Sequence, residues 1–411
     1  MFKGSLRLLG ASALAFAAVA PASASSVTFN LVNIGGVDQG STAYYGFKAA
    51  ADYWSSVLQV KGAPVTINFQ VGFSNLGDGI LGSTRSFYDV KAAVNVVNRI
   101  NATKSGSFDA SLALPTLHDG MFGANTALDM YTPGYTDPVA KTGIDNSTKV
   151  YDTDGGYNNS VLGLTVANAR AIGYTYAAGT IDANIQFSNQ FNWDFTPVDG
   201  VDAGKYDFVG VAIHEMGHAL GFVSAVDDYD YLGLPNGPAA NEVCLDDGTL
   251  CKNYPANDDW WGKPLDLFRY SADGSLDWTT GTPSYFSTDG GADVYGNGYF
   301  STGDYNGDGY QGSHWKGAVN DQGNFTCQLP LRGVMNPYLC NGRNAIVTGL
   351  DLSAFDAIGW NLNGAGGLGY SFSTSNIFVS VPEPQTWAMM LMGFGFVGFG
   401  MRARSRKVAF A

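Results

Sequence analysis

The chain has 411 residues, 45% of them hydrophobic, with a formal charge of −14, so it can bury a full core and is not a disordered chain. Lys3, Arg7, Arg402, Arg404, Arg406 and Lys407 lie in terminal segments without acids, and setting these six aside takes the formal charge from −14 to −20. A body that acidic has no basic stripe to neutralise phosphates, which argues against nucleic acid as a partner.

Residues 1–24 combine Lys3 and Arg7, an apolar run over Leu8–Val19 and the triplet Ala22-Ser23-Ala24. That is the pattern of a secretory signal peptide, with Ser25 expected to begin the mature chain. The run is too short to span a bilayer. Export permits disulfides, and the shortest loops among the four cysteines pair Cys244 with Cys251 and Cys327 with Cys340. The second bridge would bracket Met335. From Ser26 the alternation in VTFNLV, the helical spacing over Ser41–Leu58 and the alternation over Pro64–Phe73 predict a strand, helix and strand, which suits an α+β fold. Helices are expected over Asp89–Ile100 and Leu164–Ile172, with Tyr151–Ser160 as a surface loop between them and a strand over Thr180–Phe187.

The chemistry concentrates in Tyr206–Ser224, YDFVGVAIHEMGHALGFVS, where Asp207 can cap a helix and Gly221 can end it. On that helix His214 and His218, two of the chain's four histidines, project from one face and can grip one ion. Zinc is the natural occupant. Glu215 adjoins the first ligand and can serve as general base toward an activated water, as in the H-E-x-x-H pattern. The carboxylates Asp227 and Asp228 just past the helix can complete such a site. Further on, Asp304, Asn306 and Asp308 have the oxygen spacing of the start of an EF-hand loop, but position twelve is Trp315. Two readings stand for it: a Ca2+ site that stiffens the loop, or an Asx-rich turn. Residues 362–380 are rich in Gly, Ser and Asn and read as a linker. Beyond them come Val381-Pro382-Glu383-Pro384, an apolar span over Thr386–Met401 and the basic tail.

The order HEMGHALGF, long insertion, GSHW around His314, GVMNPYL around Met335 and DLSAFDAIGW over Asp351–Trp360 resembles the leishmanolysin-like metzincin zinc metalloproteases. The resemblance implies an α+β, metzincin-like protease domain with a twisted mixed sheet, in two catalytic subdomains, 25–222 and 223–361. It makes His214, His218 and His314 the zinc ligands and Met335 the apolar floor, whereas Ser224 stands where other metzincins carry their third histidine. It further implies a cleft edge formed by the strand before the zinc helix, so that Asn184, Ile185, Gln186 and Phe187 would bind an extended peptide. Tyr338, close to the methionine turn, becomes the candidate for steadying an oxyanion. The expected activity is that of a secreted zinc endopeptidase acting on protein or peptide substrates.

The P-E-P triplet, short apolar span and arginine-rich tail of residues 381–407 resemble the PEP-CTERM sorting signal of Gram-negative bacteria. That resemblance implies a transmembrane helix held transiently in the inner membrane with its positive end inside, removal by an exosortase-type enzyme, and a final place at the cell surface or outside. Many kinds of surface protein share such a tail, so the alternative function is a non-catalytic, zinc-stabilised surface or exopolysaccharide-matrix protein. Glu215 favours the enzyme, because a structural zinc site needs no adjacent carboxylate and closes its fourth position with protein.

Overall fold

β1 (Val27–Gly35) leads into α1 (Thr42–Val57), whose first turn is fixed by Ser41 Oγ accepting the Tyr44 N–H at 3.1 Å. Phe47, Ala50, Trp54 and Val57 recur at helical spacing on the buried face of α1. β2 (Val65–Ser74) then returns parallel to β1 and buries Ile67, Phe69 and Val71, alternate residues on one face. The computed structural model describes residues 26–141, 143–234, 243–244, 251–252, 260–317, 327, 331–364 and 366–379.

Next come β3 (Gly82–Ser86), β4 (Tyr88–Ala92) and α2 (Ala93–Thr103), followed later by β5 (Val161–Thr165), α3 (Val166–Ala171) and β6 (Ala183–Ser188). The main sheet has the order β1-β2-β6-β3; its first three strands are parallel, and β3 runs antiparallel to β6 at the edge. The helices expected from Asp89 and Leu164 therefore start later than the apolar spacing suggests. Tyr88–Ala92 and Val161–Thr165 instead pair with each other as β4 and β5, a non-local partnership that overrides local helical spacing. Tyr151–Ser160 is a surface loop only in part: Thr153 and Asp154 are exposed, but the stretch ends in the interior. Its first two residues close a strand, and Asn158, Asn159 and Ser160 are fully buried, with Asn159 Nδ2 donating to the Leu128 carbonyl and Asn158 Nδ2 to Asp152, both at 2.8 Å. Polar composition concealed the buried end of this segment, where the two amide groups donate inward.

The second half supplies α4 (Phe208–Ala219), α5 (Ala225–Leu232), β7 (Ile346–Thr348), α6 (Gly349–Ala357) and β8 (Ser371–Ser373). α4 is buried nearly all round, as its apolar composition requires. Trp54 Nε1 of α1 donates to the Ile213 carbonyl at 3.1 Å, and the rings of Phe47, Phe187 and Phe208 meet with centroids 4.6–5.0 Å apart, which locks α1, β6 and α4 together. One cluster of buried side chains runs from Val27 to Val379, so the core is continuous across residue 222, the expected boundary between subdomains.

The stretch expected as a linker also belongs to the fold. β8 pairs antiparallel with β7, and the Thr374 hydroxyl donates to Asp207 at the start of α4. Its Gly, Ser and Asn content gives no apolar period, yet its backbone and hydroxyl groups are used. Among the described residues no helix is long and apolar enough to cross a membrane. The expected span over Thr386–Met401 lies outside the described residues, as does the expected signal peptide. Cys327 and Cys340 form the expected disulfide, with Cα atoms 5.9 Å apart. Cys244 and Cys251 stand opposite each other in an antiparallel backbone pair, but their side chains lie outside the described residues.

Asp356, 7% exposed on α6, has its carboxyl pushed up to about 7 by burial, with the Asp109 charge adding to the effect. The fold therefore holds a proton there that the unfolded chain releases at lower pH. The resulting stabilisation is full below the ordinary carboxyl pKa and declines as pH rises to about 7. Melting temperatures of Asp356→Asn and wild type should thus diverge between about pH 4 and 7, in favour of the variant, and the gap should stay constant above that range. A gap independent of pH would show that Asp356 ionises normally.

Candidate metal centre and cleft

α4 begins at Asp207, whose carboxylate accepts the Gly210 N–H at 2.9 Å and also the Ala345 N–H at 3.0 Å. One buried acid therefore caps the helix and ties it to the segment before β7. His214 and His218 then stand one turn apart, with Nε2 atoms 3.0 Å from each other. His314, on the loop 311–315, brings its Nε2 to 3.2 Å from His218 and 3.3 Å from His214. Among the described residues this trio is the group of metal-ligating side chains that converges.

Each ring is oriented from behind. His214 Nδ1 lies 2.7 Å from the Val334 carbonyl, His218 Nδ1 2.8 Å from the Phe222 carbonyl and His314 Nδ1 3.2 Å from the Gln311 carbonyl. A carbonyl only accepts, so each Nδ1 carries the proton and the Nε2 lone pairs point at one another. Burial holds the rings neutral: it lowers His214 to about 4 and His218 to about 3, and takes His314 well below the usual imidazole value. Three convergent acceptors with no donor between them suit a cation. Nitrogens bound tetrahedrally to zinc at its usual bond length stand about 3.3 Å apart, so these residues fit that ion.

Glu215 does not join the trio. It is 5% exposed, and its Oε2 accepts the Thr84 hydroxyl of β3 at 2.8 Å. Burial, opposed by that hydrogen bond, pushes its carboxyl up to about 7. β3 approaches so closely that a Cβ on Gly82 would lie 2.6 Å from Glu215 Oε1, so the strand requires glycine there. Met335 is fully buried, and its Sδ would be 2.5 Å from a Cβ on Gly217, which explains the glycine between the two histidines of α4.

Asp351, fully buried in the first turn of α6, gathers the surroundings of the trio. It accepts Trp315 Nε1 at 2.8 Å, the N–H groups of Val334 at 3.0 Å, Met335 at 3.2 Å and Thr348 at 2.7 Å, and the Thr348 hydroxyl at 2.9 Å. It thereby binds the residue after His314, the turn at Met335 and the carbonyl-bearing residue behind His214 to one helix start. Asp351→Ala orphans four N–H donors, three of them on buried residues, and we expect a loss of about 4 kcal/mol in denaturant unfolding. A loss below about 1 kcal/mol would show that water or neighbouring groups replace the carboxylate.

The trio and Glu215 lie in a cleft of about 730 Å³ that β3 flanks and Tyr338 lines. Asn184, Ile185, Gln186 and Phe187 do not form its edge. They belong to β6, which is paired on both sides, and Ile185 and Phe187 are in the core. The edge strand is β3, whose sequence GSTRS has no apolar alternation to reveal it. Asp227 and Asp228, the carboxylate alternatives for the third ligand, are otherwise engaged: Asp227 with Gly312 and Ser313, Asp228 with Lys263 Nζ at 3.0 Å. Ser224 caps α5, accepting the Val226 N–H at 3.2 Å. At the proposed EF-hand start, Asp308 accepts the Thr302 N–H at 3.0 Å, while Asp230 accepts from the N–H groups of Tyr305 and Asn306. Those bonds tie the loop to α5 and to its own start at Thr302. Thr84, Gly82 and Asp351 were not singled out from sequence; only Asp351 left a trace there, as the fourth residue of the capping box Thr348-Gly-Leu-Asp351.

Residues 380–407 match the family model of the PEP-CTERM protein-sorting motif. The motif marks the chain for export and surface sorting in Gram-negative bacteria, with an exosortase as the enzyme that recognises it. No curated protein and no solved structure matches the chain.

Proposed function

We propose that the protein is an exported, zinc-dependent endopeptidase of the leishmanolysin-like metzincin type. The observation that carries this reading is the convergence of three neutral imidazoles beside a buried glutamate under an open strand edge. When bound, zinc supplies the Lewis acidity that makes a water nucleophilic near neutral pH and polarises a carbonyl. Glu215 keeps Oε2 on Thr84 and has Oε1 free of that bond. A carboxyl near 7 can accept a proton from water and return it to a leaving amine. β3 is the edge of the main sheet, so an extended peptide can add to it through main-chain hydrogen bonds and place its carbonyl in the cleft. Tyr338 lines the same cleft and is the candidate for steadying the oxyanion.

Metal content and casein hydrolysis of the purified protein test the proposal. The expected result is one zinc per chain and hydrolysis that 1,10-phenanthroline abolishes and zinc restores. Stoichiometric zinc with no cleavage of casein or of a peptide library would instead favour a zinc-stabilised surface protein.

A further inference from the structure

We propose that Asp227 and Ser313 are positioning residues for His314, and that through it they set the affinity of the centre for its metal. The inference rests on the metal-centre reading above. His214 and His218 are fixed by one helix, whereas His314 arrives on a loop from 96 residues beyond His218. Its Nδ1 contact, 3.2 Å to Gln311 of the same loop, is the longest of the three. The loop backbone therefore decides where Nε2 points.

That backbone is held by an acidic and a basic side chain on the two sides of one peptide. The Asp227 carboxylate accepts the N–H of Gly312, the N–H of Ser313 at 3.2 Å and the Ser313 hydroxyl. The fully buried Arg269 guanidinium donates to the Gly312 carbonyl at 3.2 Å and to the Ser301 carbonyl at 2.7 Å. Bonds at both ends, that from Arg269 charge-assisted, leave the peptide before Ser313 one orientation. A Cβ on Gly312 would lie 2.7 Å from Val226 Cβ, so the loop lies directly on α5.

The hold extends back to the metal helix. Ser313 Oγ accepts the Ser224 N–H at 2.9 Å, and the Ser224 hydroxyl donates to Asp266. Asp266 also accepts the N–H groups of Ala225 and Lys263, each at 2.8 Å. Ser313, Ser224 and Asp266 are all buried. The segment leaving α4 after His218 and the loop bringing His314 are thus joined through Ser224, the position at which the resembling metzincins carry their third histidine. Here that residue braces the loop that carries one.

The test uses the full chain and reads zinc affinity by chelator competition, together with the visible absorption of the cobalt(II)-substituted protein. Asp227→Asn and Ser313→Ala should each weaken zinc binding by about 10- to 100-fold, as loss of an outer partner of a metal ligand does, and should alter the cobalt spectrum. Asp227→Asn should cause no further loss in a His314→Ala background, since no ligand remains to be positioned. Asp182→Asn serves as control. Asp182 is a buried carboxylate bonded to Arg170 and Asn68, and its variant should lower the melting temperature without changing zinc affinity. Wild-type affinity and spectrum in both Asp227→Asn and Ser313→Ala would overturn the positioning role. So would an undiminished effect of Asp227→Asn without His314, or an equal loss in Asp182→Asn. Wild type that binds no zinc would overturn the metal-centre reading and the positioning role with it.

Discussion

Glu215→Gln should keep its zinc and lose peptide hydrolysis by about 10²- to 10⁴-fold in kcat/KM, the contribution of a positioned general base. The reasoning is geometric. Glu215 stands beside the imidazole trio, not within it, and its Oε2 is held by Thr84 at 2.8 Å. Glutamine has the same shape and can accept that hydrogen bond through its amide oxygen, so the cleft and the three ligands should be undisturbed. What glutamine lacks is a basic atom that can take a proton and give it back. The loss should therefore fall on kcat, with KM little changed. Metal analysis and casein kinetics on the same preparation check both halves. Zinc retained with near wild-type hydrolysis would remove Glu215 from the chemistry, and zinc lost would show that it supports the metal.

The parts of this site legible in the sequence are those fixed by local geometry. Four-residue spacing on a helix dictates that His214 and His218 share a face, and Asp207 is readable as the cap that starts that helix. The resemblance around GSHW brought His314 into consideration, and the chain does fold it onto the other two. The parts that were not legible depend on non-local pairing. β3 is a short polar segment that becomes a strand only because β6 offers it an edge, and the same pairing removes β6 from the cleft. Asp351 can be read as a helix cap, but nothing local says that its carboxylate also collects donors from Trp315, Val334 and Met335. Composition misled twice: at Tyr151–Ser160 and at the expected linker, polar and small residues are used for interior hydrogen bonds.

His314→Ala should lose more zinc affinity than the roughly 100-fold that removal of an outer partner can cost, because it removes one of the three nitrogens that converge. Asp228→Ala, by contrast, should keep zinc content unchanged, since its carboxylate pairs with Lys263 and not with the trio. Stability separates a lost ligand from a damaged fold. If only a ligand is lost, metal-free His314→Ala should melt close to metal-free wild type; the roughly 2–5 kcal/mol loss that truncating a large buried side chain brings would mark a damaged fold instead. Zinc that binds the folded state should raise the melting temperature of wild type with the logarithm of its ratio to the dissociation constant. It should do little for the variant. A zinc-induced shift in His314→Ala equal to that of wild type would show that two histidines and some other group hold the ion. Asp227, the carboxylate already bonded to Gly312 and Ser313 of the same loop, would then be the first alternative ligand to test.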